Sequence, residues 1–435
     1  MRRQHAASAL RESVNPNEFV EGSIQARLGD VCSFLRISGA LVVETDSNGC
    51  YFAAHGTRDG ADVLVSTPIS IACITKPITA TLVYLISRTG EVSLDSSVAE
   101  YAVGVTEAVR EQLSGIRMHH LLCHTHGLEE ARFNAVPRLE SGRIDLAAVL
   151  RSACAEARIA PPGSLFSYSD TGYWIAAAIV EEVCGRSFAD LLNHRLLQHL
   201  GIAAVTGSVC PAQGYGLHLS TGDLAAFLTL HTQPEAFDIP GLERQSLFSM
   251  YEMRIGLPGW RPCTEGIAMG WKNFFQGWIG HNGFSDECDV IVRANPQAKR
   301  GLIIAVWGDQ RHNIIPLAAR LYAGLLPEFR STAKATKSPA CDPEQIVGTY
   351  GNGSLTFSVT STERGELKLA ARRQGPAAVA DVVIECELVK VREGLYRLPT
   401  ELASRFSFLQ FLSPAPELVA AHVWDGRRLW PRLVA

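Results

Sequence analysis

The stretch "SIACITKPITA", Ser70 to Ala80, sets Cys73 three residues ahead of Lys76. On a helix, residues i and i+3 share a face, so one turn would bring a thiol and an amine together. Farther along, "PPGSLFSYSDTGY" presents Tyr168 and Asp170 two residues apart, on a loop opened by Pro161, Pro162 and Gly163. A third short run, "GHNGF", places His281 and Asn282 ahead of Gly283 and Phe284. A thiol beside an amine raises the question whether Cys73 is a working nucleophile, with the phenol of Tyr168 and the imidazole of His281 as further candidates for a site.

These residues need a frame. Alternation in "SGALVVETDSNGCYFAAHG", with a turn at Ser47, Asn48 and Gly49, predicts a hairpin near the start. From Cys73 onward, Ile74, Ile78, Leu82, Leu85 and Ile86 recur at helical spacing, and Gly90 ends the run as a C-cap would. Residues 95–235 read mostly as helix and loop. "WIGHNGF", "CDVIVRA" and "RGLIIAVWG" then read as successive strands, and "IIPLAARLYAGLL" as a closing helix. Helices enclosed between N-terminal and C-terminal strands predict an α/β (α+β) domain whose sheet is built from both ends of its chain segment. Gly283 on such a strand would let another backbone or a ligand come close.

After this, "EFRSTAKATKSPACDPEQ" is small, polar and proline-containing, a linker by composition. Short alternating runs separated by turn residues follow, as in a small antiparallel barrel or sandwich. The boundaries expected are 1–330 for the catalytic domain, 331–342 for the linker and 343–435 for the β-rich domain.

Taken in order, the three motifs resemble S-x-x-K, Y-x-N and H-x-G of the serine β-lactamase and penicillin-binding-protein superfamily, closest to its class C β-lactamase, D-aminopeptidase and esterase branch. The resemblance covers roughly residues 20–325. It extends to "HHLLCHTHGLEE", similar to that family's "LLTHTSGL", to "GYGLHLSTGDLAAFL" and to "RSFADLLNHRLLQHLGI". It implies an antiparallel sheet flanked by helices, followed by a lipocalin-like barrel. By resemblance the nucleophile falls on Cys73, the helix lysine on Lys76, the motif tyrosine on Tyr168, the asparagine position on Asp170 and the strand motif on His281, Asn282 and Gly283. The backbone N–H groups of Cys73 and Phe284 would form the oxyanion hole. The implied activity is acyl transfer without a cofactor or metal, on a small-molecule or peptide-like acyl substrate.

Two departures bear on the chemistry. Cys73 stands where the family has serine; a thiol at a helix start beside Lys76 can ionise without a strong base, and the acyl group would be held as a thioester open to amines and thiols. Asp170 replaces an amide donor with an acceptor-only carboxylate, which favours an amine or ammonium and could pair with Lys76. The loop "FSDECD" after Gly283 adds three acids. On this reading Lys76 holds and deprotonates the thiol, Tyr168 passes the proton to the leaving group, and Asp170 and His281 position substrate, His281 either as an N–H donor or as a satisfied core histidine. Two alternatives stay open: a pseudoenzyme that keeps the pocket to bind a ligand or partner, and a conventional β-lactamase or D,D-peptidase. The cluster His119, His120, Cys123, His124 and His126 has metal-ligating side chains, but on a helix they would point in several directions.

Composition narrows the classes further. The chain has 435 residues, 47% hydrophobic and 19% charged, with a net charge of −4, an ordinary globular balance. No basic block suited to phosphates occurs, so nucleic acid is not an expected partner. The basic start gives way to Asn15, Pro16, Asn17 and Glu18 before an apolar core develops, and no apolar run reaches the ~20 residues of a bilayer span, which predicts a cytoplasmic protein without membrane association. The 11 cysteines follow no framework spacing and are expected as free thiols.

Overall fold

A computed structural model describes residues 23–431, apart from 59, 132–135, 206–216, 258–263, 323, 327–342, 353–354, 363–365, 374–382, 393–394, 398–407, 413–421 and 425–428. The linker expected at 331–342 lies outside the described residues. Helix α1 (Ser23–Leu35) leads into the hairpin of β1 (Gly39–Thr45) and β2 (Cys50–Arg58). Its turn is held by Asp46, whose Oδ1 accepts the backbone N–H of Asn48 at 2.7 Å and of Gly49 at 3.1 Å. A short β3 (Ala61–Asp62) follows, and then helix α2 (Thr75–Arg88). Gly90, in the left-handed region at φ 85°, closes the turn after α2 as the sequence predicts.

The middle of the chain is helical, with α3 (Thr171–Cys184) and α4 (Thr221–Thr232) its longest pieces. Ser220 starts α4 through a capping box with Asp223. Beyond it come β4 (Ile255–Gly256), β5 (Thr264–Ile267), β6 (Lys272–Phe274), β7 (Trp278–Phe284), β8 (Cys288–Asn295), β9 (Arg300–Trp307) and helix α5 (Ile314–Tyr322). The order across the nine-stranded sheet is β3-β2-β1-β9-β8-β7-β6-β5-β4, antiparallel throughout. The late strand β9 lies directly against the early strand β1, so both ends of the domain do build the sheet.

Both faces of this sheet are covered, which is why its central strands are apolar at nearly every position. Leu41, Val43, Val290, Val292, Ile303 and Ala305 face the core under the helical region. Their neighbours Ala40, Val42, Ile291, Leu302, Ile304 and Val306 face α1 and α5, packing on Leu28, Ile314 and Leu317. On β7 the same alternation sends Ile279 to the first core and Trp278 to the second, which fixes the faces of the motif residues that follow. Past the linker the described strands form antiparallel sheets of four (Gly348–Asn352 to Val383–Glu387) and five (Val389–Arg392 to Leu429–Pro431), each in chain order. Among the described residues no helix is long and apolar enough to cross a membrane.

Two features of the packing give measurable consequences. A Cβ added at Gly283 would lie 2.3 Å from the carbonyl oxygen of Ile71, so only glycine lets β7 approach the turn ahead of α2. Gly283→Ala is therefore expected to lower stability by roughly 1–3 kcal/mol, read by urea unfolding, because backbone and not a flexible side chain must move. Between α2 and α4, buried His231 lies 3.2 Å from Thr81 Oγ1 through Nε2 and 2.6 Å from Tyr251 OH through Nδ1. Burial pushes its pKa down to about 3. A histidine depressed in the folded state contributes stability above its unfolded value, near 6.5, and loses it as pH falls toward the folded one. Replacing His231 by Asn should therefore shrink the stability difference between pH 7 and pH 5 by roughly 2 kcal/mol.

Candidate active site

Cys73 does not sit in α2 itself but on a 3₁₀ turn, Ala72–Ile74, that runs directly into it. Ala72 is held at φ 46°, a left-handed conformation costing a non-glycine residue on the order of 1–2 kcal/mol. The turn is pinned on several sides. Thr75 donates its hydroxyl to the Ala72 carbonyl at 2.8 Å, Ile74 N–H donates to Ile71 at 3.0 Å, and β7 presses on Ile71 through the space left by Gly283. This arrangement holds the sulfur half-buried at the head of a helix while its neighbours Ala72 and Ile74 are enclosed.

One turn on, Lys76 is fully buried, and its Nζ lies 2.6 Å from Asp170 Oδ1. The ammonium also sits 4.7 Å from the centroid of the Tyr168 ring and 5.7 Å from that of Tyr173. Burial alone would favour the neutral amine. The carboxylate of Asp170 outweighs it and holds the Lys76 pKa above its ordinary value. Lys76 is thus a locked ammonium at neutral pH, not a free base. This differs from the deprotonating role expected from sequence, and the cause is the acid at position 170.

Asp170 is the residue immediately before α3, so the helix start aims its side chain at Lys76. Its backbone N–H donates to Glu130, whose two carboxylate oxygens lie 3.1 and 3.2 Å away. Ala131 N–H donates to Thr171 Oγ1 at 2.7 Å, tying the same segment to the helix. A second carboxylate therefore stands behind Asp170, a residue that no motif flagged.

Tyr168 is buried, stacked on His124 with centroids 4.4 Å apart and planes at 27°. His281 closes the other side, its ring 6.1 Å from that of Tyr168. Its Nδ1–H donates to the Asn282 carbonyl at 2.8 Å. Burial, and then the charges of Lys272 and Lys76, push the His281 pKa well below the usual imidazole range. The ring is neutral with Nε2 left as an acceptor, so it offers a substrate a lone pair and not the N–H considered from sequence. Asn282 is not brought to the cleft: its Oδ1 accepts from Arg293 Nη1 at 2.9 Å on the opposite sheet face, where the guanidinium stacks 4.4 Å over Phe274. Phe284 ends β7 with its ring 55% exposed. Two of the three acids of "FSDECD" are engaged as well, Glu287 with Arg58 at 3.3 Å and His218 at 3.5 Å, and buried Asp289 at the start of β8 with Arg311 at 3.9 Å.

The histidine cluster is dispersed into separate structural contacts. His124 and His126 each accept a backbone N–H through Nδ1, from Ser169 and Leu128, both at 3.1 Å. Burial pushes the His126 pKa down to about 4, and burial with the nearby Lys76 charge takes His124 well below its usual range. Among the described residues no group of three or more His, Cys, Asp or Glu could hold a metal ion.

The buried pair makes an energetic prediction. Asp170→Leu alone, or Lys76→Met alone, strands a buried charge and should cost roughly 3–5 kcal/mol in urea unfolding. The double replacement should recover most of that loss, because the desolvation of both charges disappears with them.

The same architecture occurs in known proteins. A crystal structure of SurE with D-Leu superimposes with a TM-score of 0.75 at 22% identity, covering 94% of this chain and 99% of that one. The octameric penicillin-binding protein homologue from Pyrococcus abyssi superimposes with a TM-score of 0.59 at 19% identity, covering 94% and 99%. In sequence, penicillin-binding protein 4 of Amycolatopsis lactamdurans is 34% identical over 167 residues, 38% of this chain and 42% of that protein. Monacolin J acid methylbutanoyltransferase of Aspergillus terreus is 27% identical over 198 residues, 39% and 48%. The chain thus spans about half the length of the curated relatives it matches. The family model described as Beta-lactamase matches residues 31–323, a span that includes Cys73, Lys76, Tyr168 and His281, and the chain belongs to the β-lactamase family.

Proposed function

We propose that this chain is an acyl-transfer enzyme working through a thioester on Cys73. The observation that carries the reading is the Lys76–Asp170 pair, a fully buried ammonium fixed 2.6 Å from a carboxylate, three residues along the chain from Cys73. A serine in this position would need a neutral amine to take its proton. A thiol is intrinsically the stronger nucleophile and does without so strong a base.

In the first step the Cys73 thiolate attacks the acyl carbon and the C–S bond forms. The bond to the leaving group breaks as that group takes a proton from Tyr168, with Lys76 holding the charge balance beneath. In the second step an acceptor amine, alcohol, thiol or water attacks the thioester and gives up a proton, which restores Tyr168, and the thiolate departs. The carboxylates of Asp170 and Glu130 favour an acceptor or substrate bearing an amino group. The similarity to a methylbutanoyltransferase, and the D-leucine that accompanies SurE in its crystal structure, support transfer to an acceptor and an amino-acid-like acyl group.

Incubation with an aryl thioester followed by intact mass measurement tests the reading. A single acyl adduct is expected, mapped to Cys73 and abolished in Cys73→Ala. Among the described residues, burial drives the other half-buried thiols, Cys50 and Cys184, up to about 12 and 11, so neither of these two should compete at neutral pH. Cys73→Ser should lower kcat/KM by about 100-fold or more, since the hydroxyl lacks a free base to activate it. Absence of any adduct on Cys73 in the wild type would leave a ligand-binding role for the pocket instead, and undiminished turnover in Cys73→Ala would remove Cys73 from the chemistry.

A further inference from the structure

Tyr168 lies on an irregular loop, and a proton donor on a loop needs something to fix it. That loop is laid along the segment His124–Gly127. Ile159 N–H donates to the Gly127 carbonyl at 2.8 Å and Gly163 N–H to the Thr125 carbonyl at 2.7 Å. At the end nearest the site, the contacts converge on His124. Ser167 N–H donates to its carbonyl at 2.9 Å, Ser169 N–H donates to its Nδ1 at 3.1 Å, and its ring stacks on the ring between them. Both neighbours of Tyr168 and the phenol itself are thus gripped by one residue. His124 is in turn wedged by Phe166 and Tyr173, at centroid distances of 5.8 and 5.2 Å, and is held at φ 58°, in the left-handed region. A non-glycine residue in that region marks a conformation that the surroundings enforce.

We infer that His124 is the positioning residue of this site, a three-point clamp that sets the phenol of Tyr168 for proton transfer to the leaving group. The inference rests on the proposed acyl transfer and adds a division of labour to it. The nucleophile is organised by the 3₁₀ turn and Lys76, whereas the proton donor is organised by His124.

This separation yields a specific kinetic signature. A leaving group that departs readily as an anion does not need Tyr168; one that must be protonated does. The experiment compares an aryl thioester with an alkyl ester of the same acyl group in wild type, His124→Asn and His124→Phe. Asn keeps an acceptor and tolerates the left-handed backbone but removes the stacked ring; Phe keeps a ring and removes the acceptor. Each variant is expected to lose about 10- to 100-fold in kcat/KM on the alkyl ester and less than about 3-fold on the aryl thioester. The ratio of the two substrates, measured on one sample, is independent of the fraction folded. Tyr168→Phe should show the same ratio change, and His124→Asn added to it should change the ratio no further. Equal losses on both substrates, or no loss on the alkyl ester, would overturn the clamp while leaving the Cys73 adduct from the aryl thioester intact. Absence of that adduct in wild type would instead refute the acyl-Cys73 reading and the clamp with it.

Discussion

A lysine buried to zero exposure can persist only with a partner, and here the partner is Asp170 at 2.6 Å. That one contact fixes the relation between α2, which carries Lys76, and α3, which begins just after Asp170. It also sets the protonation state of the site. With a neutral amide at position 170, Lys76 would be free to lose its proton to its apolar surroundings. With a carboxylate it remains an ammonium, and the nucleophile proposed at position 73 has to be of a kind that does without a neutral amine. A thiol meets that condition, and an alcohol does not. On that proposal the cysteine at 73 and the acid at 170, which read separately as two irregularities of one family pattern, belong to one arrangement.

Around this pair the fold divides its work. The sheet supplies rigidity, with both faces buried, and delivers β7 against the turn that carries Cys73 through the gap at Gly283. Strain is kept local, at Ala72 beside the nucleophile and at His124 beside the phenol, and each strained residue is held by several hydrogen bonds or ring contacts. Glu130 stands behind Asp170, its carboxylate accepting the Asp170 backbone N–H.

Much of this was legible in the residues. The hairpin, the helix after Cys73, the three late strands and the closing helix follow from periodicity, because each element buries a regular stripe. The approach of Lys76 to Asp170 and Tyr168, and of Tyr168 to His281, is in line with what the family resemblance of the three motifs implies. Asn282 could have been set aside from sequence as well: adjacent residues on a strand face opposite ways, so His281 and Asn282 cannot both look into one cleft. Other features were beyond sequence reasoning. The charge on Lys76 depends on an ångström-scale distance to Asp170, and the roles of His124 and Glu130 arise from backbone contacts some 40 residues away in the chain. A histidine that grips backbone is indistinguishable in sequence from one that binds metal.

The whole arrangement turns on the protonation state of Lys76, which can be observed directly. In protein labelled with ¹⁵N at lysine side chains and assigned with Lys76→Met, the Lys76 Nζ resonance should keep its ammonium shift from about pH 6 to about pH 9, near or beyond which ordinary lysines begin to titrate. A change to the neutral-amine shift near pH 7 would contradict a locked cation, because Lys76 would then be the base and Asp170 would not be its permanent partner.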